Sequence, residues 1–478
     1  MQTHELFMHQ YAQLRDGNTQ AQRDEIAQYY GINGECLFAR LRSIDLPSSF
    51  PYNIMHLFFE NLVPNMVKHW IGEFKGLDEG KGAYKISKEE WIAIGTLPDI
   101  AQDRGLYKAE AYSFWIQYLA PILLKGRLMQ KYYNHAVELR KIILLCLQFK
   151  ISRAEIDELQ QMINNWVLKY KAYVNFSIDT TINIERLVSP HQTGPLWASW
   201  AFVMERFCGR LLPAVKNRTR PYTHLDNYIK RRAQLQIVAS EYNMPSLMKA
   251  QRKHTYAGNV PISTQEVVYP DLILGRPIHK KVTLDIDLKR QMVAYFSLVY
   301  PGRRANNHGN SINASSLVRY GQFRIHDGDL FRTAIMIDRD STARDNSYVK
   351  YDLCPDRHAN FRRQLDRPLR EVQYGRLLDI YYVEYIKPDD GAHVPYLLAR
   401  VTECVTGGVD AARRGTPLVR YNRELRPRII HIETIVAVIG RVHLGDKEWA
   451  IIDRSRDGAR TQFLDDDGNI DLDVDNPM

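Results

Sequence analysis

The hydrophobic pattern of this chain changes once, near residue 245, and that change limits its fold more than any other feature. Before it, apolar residues recur every three or four positions, as in Leu139, Ile142 and Ile143, which is the spacing of a helix face. After it, short runs of β-branched and aromatic residues alternate with turn-forming residues, which is typical of antiparallel strands. Because 478 residues exceed what one core usually holds, the sequence predicts an α+β multidomain protein.

Local signals place several helix ends in the first half. The sequence predicts a helix over about 19–30 that ends at Gly31. A second helix is expected just after Asn53, with Pro64 kinking or splitting it. Ser152 and Glu155 have the spacing of a capping box and predict the start of a third helix. The segment of about 85–175 is therefore expected to be all helical.

The second half is expected to form a small antiparallel barrel or sandwich. Four runs with strand-like composition carry this prediction. They are residues 291–296, 378–383, 396–401 and 434–439.

Charge and cysteine usage narrow the range of partners. The net charge of +9 favours polyanions, and nucleic acid above all, although the excess is modest for this length. The five cysteines stand singly, which argues against a zinc module and a disulfide framework and indicates a reducing compartment. The N-terminus lacks the pattern of a signal peptide, and the longest apolar stretch, Ile142 to Leu147, is too short to cross a bilayer. The sequence therefore predicts a nuclear or cytosolic protein without a membrane span.

Several separated blocks between about residues 25 and 242 resemble CACTA-type (En/Spm) DNA transposases of fungal mobile elements. No single block is specific, but their order and spacing together are. The blocks are residues 30–34, 53–61, 69–75, 119–124, 131–135, 194–197 and 205–209. The resemblance implies a partial RNase H-like transposase core with a large helical insertion, located in the nucleus and bound to double-stranded DNA.

The resemblance also implies a set of site residues. Such transposases use three acidic residues to hold two divalent metal ions for strand cleavage and joining. When the family's pattern is carried over to this chain, the position of the second acid is Asn53, and His56 is its companion in the same motif. The position of the third acid is Glu205, and Glu110 is a weaker candidate. The first acid is expected upstream of position 1, which would place the start of this chain inside the catalytic domain.

Asn53 makes the expected site a degenerate one. An amide oxygen is a neutral, weak ligand for a hard divalent cation, whereas a carboxylate supplies the charge that such a site needs. The expectation is an impaired enzyme that uses Mg²⁺ or Mn²⁺, held by Glu205, if activity remains. The simpler alternatives are a core histidine at position 56 and a structural ion pair at Glu205.

A basic stretch follows the transposase-like blocks and is the candidate DNA-binding surface. Its cations are interleaved with Tyr222 and Tyr228, a composition suited to phosphate contacts and stacking. The alternative is a solvated helix face. The cationic residues are Arg218, Arg220, Lys230, Arg231 and Arg232.

These observations divide the chain into six predicted segments. The first hypothesis is a transposase-derived protein whose partners are double-stranded DNA and a protein partner or a homo-oligomer. Two alternatives stand beside it: a non-catalytic module that binds chromatin or a protein partner, and a decaying transposon copy with no retained role. The segments are a partial RNase H-like part (1–75), a helical insertion (76–190), a closing helical part with the basic helix (191–245), a linker (246–285), a β-rich domain (286–463) and an acidic tail (464–478).

Overall fold

The computed structural model shows a mixed α+β protein with antiparallel sheets, which confirms the predicted class. Its described residues form two compact units, each described by itself. The first contains the described residues up to Arg231 together with 457–459, and the second contains those from Arg232 to Arg456. The described residues are 3–32, 34–46, 49, 53–73, 82–94, 109–174, 195–211, 215, 220–244, 269, 272–325, 328–339, 345–354 and 370–459. The predicted acidic tail, 464–478, and Arg218 lie outside them.

The first unit is built from helices. They are α1 (His4–Asp16), α2 (Gln20–Tyr30), a π-helix (Met55–Leu62) continuing into α3 (Val63–Ile71), α4 (Lys88–Ile94), α5 (Ala109–Phe114), a π-helical segment (Trp115–Leu119), α6 (Ala120–Leu123), α7 (Gln130–Cys146), α8 (Arg153–Val174), α9 (Phe202–Leu211) and α10 (Pro221–Glu241). Short 3₁₀ turns span Leu37–Arg40 and Leu196–Ser199. The final helix, α10, crosses the unit boundary.

Capping residues set the helix ends that the sequence predicted. Thr19 and Gln22 form a capping box at the start of α2, and Gly31 ends that helix in the left-handed conformation with φ of 67°. At the start of α8, the Glu155 N–H donates to Ser152 Oγ (3.3 Å) and the Ser152 N–H donates to the Glu155 carboxylate (2.8 Å). Both predicted helix starts are confirmed.

The core of the helical block lies between α7 and α8. Leu139, Ile142 and Trp166 are fully buried there. His135, which belongs to one of the transposase-like blocks, stacks on Trp166 with ring centroids 4.3 Å apart. Its Nε2 lies 3.1 Å from the Trp166 carbonyl oxygen, and Trp166 Nε1 donates to the His135 carbonyl (3.0 Å). In this structure His135 is therefore a packing residue.

The second unit contains all eleven strands assigned in the described residues. They form an eight-stranded and a three-stranded antiparallel sheet that do not close into a barrel in the described part of the chain. The strands are β1 (Leu272–His279), β2 (Ile312–Ile325), β3 (Leu330–Arg332), β4 (Tyr348–Leu353), β5 (Glu371–Ile386), β6 (His393–Cys404), β7 (Arg420–Tyr421), β8 (Arg428–His431), β9 (Ile435–Val438), β10 (Gly440–Gly445) and β11 (Glu448–Ile452).

Strand β5 organises the larger sheet. It pairs with β6 along most of its length, from Tyr374 opposite Cys404 to Ile386 opposite His393. On its other edge it pairs with β4 near its start and with β2 near its end. The smaller sheet consists of β10, β11 and β7, and it packs on the larger one through a shared apolar cluster that includes Tyr348, Tyr374 and Ile451. The larger sheet branches around one long strand. Of the predicted barrel or sandwich, the described residues show no closed barrel but two antiparallel sheets.

One predicted strand, residues 291–296, is a helix. It belongs to α11 (Ile286–Val299), where Asp285 caps the first turn by accepting from the Leu288 N–H (2.7 Å). Leu288, Met292 and Phe296 are buried at intervals of four, which is helical and not strand spacing. The cap and this spacing outweigh the strand propensity of the run. Strand β1 also begins inside the segment 246–285 that was predicted to be a linker.

Two short helices complete the second unit. They are α12 (Ala305–Ser311) and α13 (Ala334–Arg339). Helix α11 covers one end of the sheet, where Phe296 stacks on Tyr385 with ring centroids 4.4 Å apart. No helix in the described part of the chain is both long and apolar enough to span a membrane.

Candidate functional site

Asn53 ties together two segments that are distant in the sequence. Its Oδ1 accepts from the N–H of Met55 (3.1 Å), at the start of the π-helix, and from the N–H of Ala201 (3.2 Å), just before α9. Its carbonyl oxygen accepts from the Leu57 N–H (3.0 Å). Asn53 therefore acts as the cap of one helix and as the tether of a second.

The helix that follows Asn53 changes type at Pro64. Met55–Leu62 is π-helical and Val63–Ile71 is α-helical, with the proline in the first turn of the α-helical part. Proline has no N–H to donate to the preceding turn, so a change in the hydrogen-bond pattern is expected at this point. The predicted interruption at Pro64 is present as this change.

Aromatic packing holds α9 against this helix. Phe59 and Phe202 are fully buried, with ring centroids 6.0 Å apart. Trp200 contacts Phe202 edge-on at 5.0 Å. The Glu205 N–H donates to the Ala201 carbonyl (2.8 Å), so the tether at Ala201 lies one helical turn before Glu205. The Glu205 backbone is thereby fixed relative to the helix that carries His56.

His56, Glu60 and Glu205 form an exposed cluster. His56 Nε2 lies 3.5 Å from Glu60 Oε2 and 3.6 Å from Glu205 Oε1. One ligand atom from each of the three residues lies within 4.8 Å of the others. The structure thus brings together His56 and Glu205, which the family resemblance assigned to one site. Glu60 was missed, although its position four residues after His56 places it on the same helix face.

The donor types of this cluster fit a single divalent cation. Two carboxylates and an imidazole suit Mn²⁺, whereas Mg²⁺ prefers an all-oxygen set. The three side chains are about half exposed, so solvent and ions reach them directly. His56, Glu60 and Glu205 would be its ligands.

The same cluster does not fit a pair of metal ions. Among the described residues, it offers two carboxylates where the two-ion reaction uses three. Asn53 cannot supply the missing ligand because both lone pairs of its Oδ1 already accept backbone N–H groups. Glu110, at the start of α5, lies outside this group of three.

The predicted DNA-binding cations lie on and beside α10. Arg220, Lys230, Arg231 and Arg232 are exposed, and Lys230 Nζ is paired with Asp226 Oδ2 at 2.7 Å. Among the described side chains of this helix, Ala239 is the buried one. Consecutive residues point 100° apart on a helix, so Lys230, Arg231 and Arg232 do not form one stripe.

One face of α10 nevertheless combines two of these cations. Arg220 and Arg231 are eleven residues apart, which is three helical turns, with His224 and Asn227 between them. This Arg220–Arg231 face is about 16 Å long and carries no acidic residue at those four positions.

No protein-family model, curated protein or solved structure matches this chain.

The structural role of Asn53 leads to a prediction for stability. Asn53→Ala is expected to destabilise the first unit by about 1–2 kcal/mol, because the N–H groups of Met55 and Ala201 lose their acceptor. Urea unfolding of the variant and wild type measures the difference. Asn53→Asp is the matched control, since a carboxylate accepts the same two bonds and suits a helix N-terminus. Equal stability of wild type and Asn53→Ala would refute the tether.

Proposed function

We propose that this chain is a transposase-derived, nuclear DNA-binding protein whose strand-transfer site is impaired. The observation that supports this most is the meeting of His56 and Glu205. The family resemblance assigned these two residues to one site from separate sequence blocks. A structural histidine and an unrelated surface glutamate have no reason to meet there, although an exposed pair by itself contributes little to stability.

The impairment follows from the chemistry of phosphodiester cleavage. In-line attack develops negative charge on both the attacking and the leaving oxygen, and two cations stabilise both. The His56–Glu60–Glu205 cluster has donors for one cation, which would polarise a phosphate oxygen when bound. Binding of DNA without its cleavage is the expected activity.

The proposal predicts a weak, single-ion site for Mn²⁺. Electron paramagnetic resonance of free Mn²⁺ during a titration is expected to show about one ion bound per chain. Glu205→Gln is expected to weaken binding about tenfold or more, because it removes one of two charged ligands. Glu25→Gln, at an exposed position on α2, is the matched control and should bind like wild type.

The same preparations decide whether the site is impaired. Wild-type protein with Mg²⁺ or Mn²⁺ is expected to leave supercoiled plasmid intact while retarding it on a gel. Nicking by the wild type that Glu205→Gln abolishes would overturn the impaired site and leave the transposase origin standing. A failure to bind DNA at all would favour the alternative of a protein- or chromatin-binding module.

A further inference from the structure

The connection between β6 and β8 in the second unit is strongly basic. Residues 405–428, here called the arginine loop, comprise this connection and the first residue of β8, and they contain six arginines, no lysine and two acidic residues, Asp410 and Glu424. The arginines are Arg413, Arg414, Arg420, Arg423, Arg426 and Arg428. Neither the transposase-like blocks nor the α10 surface includes this loop.

A buried polar network fixes the first part of the arginine loop. Asp410 Oδ1 accepts from Lys350 Nζ (3.0 Å) and from the Ala412 N–H (3.0 Å). The Tyr374 hydroxyl accepts from the Ala411 N–H (2.8 Å). Lys350 and Tyr374 lie on β4 and β5 and are buried, so the turn that starts at Asp410 is anchored to the sheet.

The second part of the loop is anchored to the end of β6. The Val405 N–H donates to the Arg423 carbonyl (3.0 Å), and the Leu425 N–H donates to the Glu403 carbonyl (2.8 Å). The start and the end of the arginine loop are therefore held together beside the last residues of β6. The loop is ordered before any partner arrives, which lowers the entropy cost of binding.

Carboxylates compensate some of these arginines but leave three at the surface. Arg428 and Arg420 are paired with Glu403 (2.7 Å) and Glu448 (3.1 Å). Arg413 is 78% exposed, and its Nε lies 3.9 Å from Asp410, which also contacts Lys350. Arg423 and Arg426 are also exposed. Here Arg413, Arg423 and Arg426 are called the surface arginines.

We propose that the arginine loop contacts the phosphate backbone of duplex DNA and gives the second unit a DNA surface of its own. This inference rests on the proposed function. Guanidinium groups bind phosphate oxygens through paired N–H donors, and clustered arginines on a fixed loop suit several phosphates at once. Phosphate contacts carry no sequence information, so this surface adds affinity and not base specificity.

The test compares two variants of the full chain that lose equal charge. One replaces the surface arginines by glutamine, and the other replaces by glutamine Lys280 and Lys281, which are exposed just before α11, and Arg290, which is exposed on it. Helix α11 packs near Tyr385, whereas the arginine loop is anchored near Tyr374, roughly 35 Å away along β5. Thermal melting verifies that both variants fold.

The readout is the salt dependence of binding to a fluorescent DNA duplex. Each lost phosphate contact lowers the slope of log affinity against log salt by about 0.9, so the surface-arginine variant should lose about 2–3 in slope and at least tenfold in affinity at low salt. The control variant should keep most of the salt slope and most of the affinity at low salt. Equal losses of slope in the two variants, or an unchanged slope in the surface-arginine variant, would refute DNA contact by the arginine loop but not the proposed function. Absence of binding by the wild type would refute it together with the proposed function.

Discussion

Replacing Lys350 by methionine is expected to destabilise the second unit by about 3–5 kcal/mol. Lys350 is buried, and its Nζ lies 3.0 Å from both Asp410 Oδ1 and Asp453 Oδ2. It also donates to Ser455 Oγ (3.0 Å), while the Tyr374 hydroxyl donates to Asp453 Oδ2 (2.7 Å). The variant leaves two carboxylates without their cation in a site shielded from water, which costs far more than the pair itself contributes.

Hydrogen exchange resolved by peptide measures this effect where it arises. Peptides from β4 and β5 are expected to exchange faster in Lys350→Met, while peptides from α7 and α8 in the first unit should not change. Lys289→Met is the matched control, because Lys289 is exposed on α11. Unchanged protection of β4 and β5 in Lys350→Met would contradict the role assigned to this network.

The pH dependence of this variant has a defined sign. Burial raises the pKa of the Asp410 carboxyl, but hydrogen bonds from Lys350 and the Ala412 N–H outweigh burial and leave the pKa below its usual value of 3.8. The stability that this carboxylate contributes is present above 3.8 and is lost as the pH falls through the lowered pKa. A protonated Asp410 carboxyl needs no cation, so the deficit of Lys350→Met should shrink on acidification.

The second large effect concerns His135 and acid unfolding of the first unit. Burial lowers the pKa of His135 to about 4 from 6.5, against the smaller opposing effect of its bond to the Trp166 carbonyl. The unfolded chain takes up a proton below about pH 6.5, whereas the folded chain does so only near pH 4. Stability is therefore unaffected above pH 6.5 and falls by about 3 kcal/mol between pH 6.5 and 4.

Replacing His135 by phenylalanine tests this assignment. The variant is expected to lose about 3 kcal/mol less than wild type between pH 7 and pH 4 in urea unfolding followed by tryptophan fluorescence. Its stability at pH 7 also reports the loss of the bond to Trp166. His9→Gln, at an exposed position on α1, is the control and should keep the full pH dependence. An identical pH profile for His135→Phe and wild type would contradict a buried neutral histidine.

Sequence signals predicted the structure best where the deciding contacts are local. Thr19, Gln22 and Gly31 define α2 through hydrogen bonds within a few residues, and they can be read directly. The strand predicted at 291–296 was wrong because a short apolar run fits both periods, and the cap at Asp285 was not weighed. A capping residue just before such a run favours the helix over the strand.

Local sequence signals could not predict contacts between residues that are far apart in the chain. Lys350 occupies a strand where a lysine normally points to solvent, and its partner Asp410 follows sixty residues later, so its burial could not be foreseen. The pairing of β5 with three other strands likewise depends on the whole sheet. His56 and Glu205 were connected through the family resemblance alone, and the tether by Asn53 was not foreseen.

A titration of the wild-type protein with a fluorescent DNA duplex at low and high salt, with and without Mg²⁺ or Mn²⁺, tests the central claim most directly. A denaturing gel of the same samples reports the integrity of both strands. We predict binding that weakens steeply with salt while both strands remain intact. Binding that is absent or insensitive to salt, or strand cleavage that requires the divalent ion, would contradict this account.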